Sequence, residues 1–185
     1  MVLLLAILAG LLAGLVLARW RGHAYQAPKL QHLWLVFVAF LPQAIFTYLP
    51  NLPNGWVAAC LLGSQILLLG FAWLNRTIPG MPTLLAGAAL NFLVMAVNGG
   101  FMPVSPQTVS RLVSEQRLLD FQLGSRIGVK DILLLPQDTR FEWLADRILP
   151  PAWFPFQAAF SLGDIFIALG VFWMLAQFTN RGTQT

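Results

Sequence analysis

Five stretches of the chain are almost free of charge, over about residues 2–18, 33–49, 56–74, 83–97 and 156–178. Each comes close to the ~20 apolar residues a helix needs to cross hydrocarbon. None shows the apolar–polar alternation of a half-buried strand. The pattern predicts an all-α integral membrane protein, one domain over 1–185, with about five transmembrane helices in a single bundle. Breakers punctuate it: Pro50, Pro53 and Asn54-Gly55 between the second and third runs, Pro79, Gly80 and Pro82 after the third, Asn98-Gly99-Gly100 after the fourth.

A longer segment, 99–155, separates the fourth and fifth runs. Ser105 followed by Pro106 reads as an N-cap and first helical residue. Val109, Leu112, Val113, Gln116 and Leu119 then trace a mostly apolar face at helical spacing, with Arg111, Ser114 and Glu115 opposite. This predicts an amphipathic helix lying on the outer membrane surface or on the span ends. Thr139 with Glu142 matches a capping box, predicting a short helix to about Ile148. Ile132–Leu135 is apolar without a clear period.

Composition agrees with the pattern: 58% of residues are hydrophobic and 10% charged, against about 25% charged in a soluble domain. The net charge of +4 does not describe a nucleic-acid binder, because its basic residues form no stripe or patch. All seven acids lie from Glu115 onward. Arg19, Arg21, Lys29, Arg76 and Arg181 stand uncompensated in short linkers and the tail. Lys and Arg near span ends mark the cytoplasmic side, so the N-terminus is expected outside, the C-terminus inside, and 99–155 outside. Trp20, Trp34, Trp56, Trp73, Trp153 and Trp173 fall near span ends, where indole favours the interface. The first run carries its positive charge after its apolar core rather than before it, unlike a secretory signal, and is read as a retained helix.

Chemistry is sparse. No phosphate-binding loop, dinucleotide fingerprint, zinc-protease helix or nucleophile elbow occurs. His23 and His32 have no acidic or cysteine neighbours, and Cys60 stands alone in an apolar run, so no metal set is predicted. No motif names a cofactor. Gly10 and Gly14 have the spacing that lets two helix backbones approach, a spacing that Ala/Leu/Gly helices also carry incidentally. Polar residues inside the apolar runs are more telling. Gln43, Gln65, Asn91 and Asp164 sit on the second to fifth runs, each roughly 10–13 Å below its predicted outer end. Asn98 and Gln157 lie nearer the mouth. Together they predict a polar intramembrane layer with Asp164 as its ionisable member, serving either as a small pocket or as hydrogen-bonded glue between helices.

Two resemblances add to this reading. Asn98–Pro103, Gly128–Asp131, Ala145-Asp146-Arg147 and Phe160–Asp164 resemble a bacterial family of membrane proteins of unknown function. That likeness covers nearly the whole chain, implies no activity, and implies a bacterial cytoplasmic membrane as the setting. The stretch PFQAAFSLGDIFIALG, Pro155 to Gly170, resembles the last helix of lipoprotein signal peptidases. In that family it carries one of two catalytic aspartates, and the other precedes it by nearly the interval that separates Asp146 from Asp164. The resemblance implies an Asp146/Asp164 dyad. Ser161 and Gly163 depart from that pattern's asparagine and alanine, and its other conserved segments are missing. The preferred expectation is a non-enzymatic accessory or binding subunit contacting a partner protein, a lipid or a hydrophobic cofactor. The alternative is an intramembrane aspartyl peptidase. A transporter has less support, since no inverted repeat is present.

Overall fold

Long apolar runs become helices because intrahelical bonding satisfies the interior backbone amides, leaving only the ends to be capped, while the side chains stay free to face an apolar surround. The computed structural model describes residues 2–49, 52–114, 121–151, 153–154 and 157–177. Helices α1 (Val2–Trp20), α2 (Trp34–Tyr48), α3 (Asn54–Leu74) and α4 (Met81–Val97) come first. Strand β1 (Met102–Val104), the short helix α5 (Pro106–Ser110), and strands β2 (Arg126–Ile127) and β3 (Asp131–Leu133) follow. Two single 3-10 turns, Pro136–Asp138 and Glu142–Leu144, lead to the final helix α6 (Leu162–Ala176). By length and composition α1 and α3 are able to cross a membrane, and α2, α4 and α6 are shorter apolar helices.

The principal helix contacts run in the order α2, α3, α4, α6, α1. Glycine sets the closest crossing. A Cβ at Gly87 would strike the Gly163 carbonyl and lie 2.7 Å from the Ile167 amide, and a Cβ at Gly170 would lie 2.6 Å from the Leu84 amide and 2.7 Å from the Gly80 carbonyl. Gly80 meets Gly170 and Gly87 meets Gly163, so α4 and α6 run antiparallel, backbone against backbone. Helix α1 lies parallel to α6, with Val2 and Leu5 beside Ile165 and Leu169, and with Gly10 and Gly14 against Phe172 and Leu175. Both glycines are buried.

The helix ends fall at two common levels. At one end Phe46, Val57, Leu61, Val94 and Met95 pack with Phe101, Met102 and Leu144. At the other, Leu35, Phe71, Ala72, Met81 and Met174 form a second cluster. Buried asparagines lock both levels. Asn75, the C-cap of α3, exchanges hydrogen bonds with the Gln31 backbone, Gln31 N–H to Oδ1 at 2.7 Å and Nδ2 to the Gln31 carbonyl at 3.0 Å. Asn98, the C-cap of α4, does the same with Arg140 at 3.0 and 2.9 Å. Between these levels the outward faces are apolar, with Leu8, Leu12, Phe37, Leu41, Ile66 and Leu169 exposed.

The fold is mostly helical rather than purely so, because a small sheet covers the first of these ends. Its order is β1-β3-β2, with β1 parallel to β3 and β2 antiparallel to it. Asp146 extends it past β1 through a bridge to Val104 and its amide bond to the Pro103 carbonyl at 3.1 Å. Pro103 is tolerated because the hydrogen bonds to β3 come from its neighbours: the Met102 amide donates to the Lys130 carbonyl and the Val104 carbonyl accepts from the Leu134 amide. The chain turns into β1 at Gly100, φ 89°, where a Cβ would lie 2.5 Å from that of Ala58.

Three local expectations differ from the structure. Ser105 caps α5 as read, accepting from the Thr108 amide at 3.2 Å, but the helix ends at Ser110. Val109 packs into the sheet's own core with Val104 and Leu133, and Val113 lies against them, so these two members of the apolar face are taken up by the sheet. Gln116 and Leu119 lie outside the described residues. No capping box forms at Thr139: its hydroxyl turns back to donate to the Leu135 carbonyl at 2.9 Å, and Phe141 takes a left-handed conformation, φ 55°, that breaks any helix there. In the fifth run residues 157–161 are not helical and the helix begins at Leu162, with Phe160 paired to Ile148 as an antiparallel bridge.

Candidate functional site

Ser161 stops the extended segment and starts α6. Its hydroxyl accepts from the Asp164 amide at 3.0 Å while the Asp164 carboxylate accepts from the Ser161 amide at 3.2 Å, a reciprocal capping box. The other carboxylate oxygen accepts from Asn91 Nδ2 at 2.8 Å, and the Ser161 hydroxyl donates to Asn91 Oδ1 at 2.8 Å. Asn91, Ser161 and Asp164 thus form a closed polar knot beside the Gly87–Gly163 contact. Asp164 lies in the first turn of α6, at the capped mouth. The helix starts at Leu162 rather than near residue 156, so Asp164 stands three residues past the N-cap instead of roughly 10–13 Å into a helix.

The remaining members of the expected layer do not converge on this knot. Gln43 and Gln65 are half-buried on α2 and α3, and α3 and α4 intervene between α2 and α6 in the packing order. Among the described residues neither side chain bonds to Asn91 or Asp164. Asn98 holds the Arg140 loop instead. Gln157 is exposed and donates to the carbonyls of Pro151 and Phe154 at 3.2 and 2.8 Å.

Hydrophobic pattern and charge balance do not single out the residue that joins the aspartates, although it lies in Gly128–Asp131, one of the segments that carry the family resemblance. Lys130, at the start of β3, reaches across β1 to Asp146 Oδ2 at 2.6 Å and stands 3.5 Å from Asp131 Oδ1. Asp146 is 2% exposed, and its Oδ1 is buried with no hydrogen-bond partner. Burial raises the Asp146 pKa to about 7; Lys130 opposes the rise, while Asp131 and Asp164 add to it. Burial raises Asp131 as well, again against Lys130. For Lys130, burial favours the neutral amine, but Asp131, Asp146 and Asp164 outweigh it and push the pKa up. The structure therefore brings Asp146 and Asp164 within electrostatic reach of each other, around an ammonium that bonds to Asp146. Among the described residues no group of His, Cys, Asp or Glu is arranged to hold a metal ion.

A mostly helical fold, two helices fit to cross a membrane and a sheet-capped polar mouth define the class. Residues 28–176 match the family of unknown function DUF5317, and the chain belongs to it. It is also similar to a protein of Thermotoga maritima, itself described as uncharacterized, with 38% identity over 116 residues, 60% of this chain and 58% of that relative's length. No solved structure matches.

Proposed function

We propose that the chain is an integral membrane protein that crosses a bacterial cytoplasmic membrane five times, with the sheet outside. In this reading it works without catalysis, as an accessory or binding subunit for a membrane partner, a lipid or a hydrophobic cofactor. The observation that carries the membrane half is an apolar girdle separating two unlike ends. Arg19, Arg21, Lys29 and Arg76 stand beyond one end, while every described acid except Asp164 lies in the cap at the other, and Asp164 is at its mouth. Trp20, Trp34 and Trp73 at the basic end, and Trp56 and Trp153 at the capped end, are all exposed, as an interfacial belt requires. Helices α2 and α6, 15 residues each, span about 22 Å; local bilayer thinning accommodates such short helices at modest cost.

The non-catalytic half rests on how the aspartates are held. Asp146 is buried against Lys130, and Asp164 is engaged by Asn91 and its own helix cap. One observation favours the second reading, a peptidase: a carboxyl raised to about 7 beside a second carboxyl is an arrangement suited to acid–base hydrolysis. The two readings separate on a lipid-modified precursor peptide offered to the reconstituted protein. The expected result is no cleavage. Cleavage by wild type that is lost in both Asp146→Asn and Asp164→Asn would establish the peptidase instead.

A further inference from the structure

Asp146 and Asp131 stand 2.6 and 3.5 Å from one ammonium, with Asp164 within electrostatic reach, where the sheet meets α6. With every group ionised, these four carry two more negative charges than positive, and Asp146, the carboxyl at the centre, is buried while Lys130, Asp131 and Asp164 are half-buried. Buried charge without a partner is costly, and the Lys130–Asp146 bond leaves Asp146 Oδ1 enclosed with nothing donating to it. A proton on Asp146 removes one of the excess charges and turns the carboxyl into a donor. Among the described residues, Lys130 is the cation that acts on Asp131 and Asp146. Helix α4 contributes only the neutral Asn91 among its polar side chains facing α6, and β1 contributes no ionisable side chain. In the segment that holds Asp146, Glu142 and Arg147 are spent on each other at 2.6 Å.

We propose that Lys130, Asp131, Asp146 and Asp164 form a proton-binding site that couples the seating of the sheet on the helices to the proton concentration at that face. Asp146 is both a rung of the sheet edge and the carboxyl that Lys130 holds, so its ionisation acts directly on the junction. The inference does not depend on the number of membrane crossings.

The sign follows from linkage. The folded state holds a proton on Asp146 up to about pH 7, whereas the unfolded chain releases it near pH 4. Stability contributed by that proton is complete on the acid side, falls as pH rises through this interval and levels off above it. Asp131, raised in the same direction, adds to the slope, and Lys130 stays charged throughout. Thermal and denaturant unfolding of the full chain in detergent micelles, from about pH 5 to about pH 8.5, reads the effect. The unfolding constant of wild type should rise by up to about tenfold per pH unit below pH 7. Asp146→Asn should remove most of that slope, and Asp131→Asn should move its upper end to lower pH. Should the Asn variant not fold, infrared titration of wild type serves: a protonated-carboxyl band must be present near pH 6, be lost above pH 7, and change in Asp131→Asn. A flat wild-type profile, a slope unchanged in Asp146→Asn, or no such band would overturn the proposal.

Discussion

Gly87→Leu should fail to yield folded protein, and Gly87→Ala should fold with a loss of about 1–3 kcal/mol, the range typical of overpacking a tight core. The cause lies in what a new methyl group meets. Around Gly87 the obstacles are the Gly163 carbonyl, the Ile167 amide and the Phe166 Cβ, the last at 2.8 Å. Main-chain atoms cannot swing aside as a side-chain tip can, so α4 and α6 must separate. That separation would also pull Asn91 from Asp164, adding a polar loss to the steric one. Gly63 on α3 is the control, since nothing lies within 4 Å of a Cβ built there. Gly63→Ala should be neutral or slightly stabilising, by up to about 1 kcal/mol from helix propensity. The yield of folded Gly87→Leu, and thermal unfolding of Gly87→Ala and Gly63→Ala in one detergent, measure the contrast. Equal behaviour of Gly87→Ala and Gly63→Ala would remove the backbone contact from the account.

Asp164→Leu should cost about 2–4 kcal/mol. Roughly 1 kcal/mol comes from the lost bond between the Ser161 amide and the carboxylate, and about 1–3 kcal/mol from Asn91, left buried with its amide donor unmatched. Asp164→Asn keeps an oxygen acceptor for one of those two donors and should lose about 1 kcal/mol. Chemical denaturation of wild type and both variants tests the difference. Matching losses in Asn and Leu would mean that charge, rather than hydrogen-bond geometry, holds this junction.

The helices were legible because each is a long apolar run, and the structure keeps α1 to α4 within a few residues of those runs. The sheet was not. Its strands have two or three residues, too few to display a period of two. Its central pairing joins Met102 to Asp131, a contact made by folding and absent from any local window. The start of α6 did leave a trace: Ser161-Leu162-Gly163-Asp164 has the spacing of a capping box, but its apolar neighbours made it look like the interior of a span. With the serine as cap, Asp164 falls in the first turn of the helix rather than roughly 10–13 Å below its outer end. The heptad spacing of Gly80 with Gly87, and of Gly163 with Gly170, was likewise visible, although which helix each would meet was not. Lys130 looked like one cation among a balanced set. Only the parallel pairing of β1 and β3, with Asp146 added at the edge, brings it to its carboxylates.

The membrane arrangement is tested most directly by the sidedness of two exposed positions, Gln107 in the cap and Thr77 in the turn between α3 and α4. Each is replaced singly by cysteine in a Cys60→Ser background, and intact cells are treated with an impermeant thiol reagent. The account predicts labelling of Gln107→Cys in intact cells, and of Thr77→Cys only after the membrane is opened. Labelling of Thr77→Cys and not Gln107→Cys in intact cells would invert the topology, and labelling of both from outside would contradict the odd number of crossings between the basic and the capped ends.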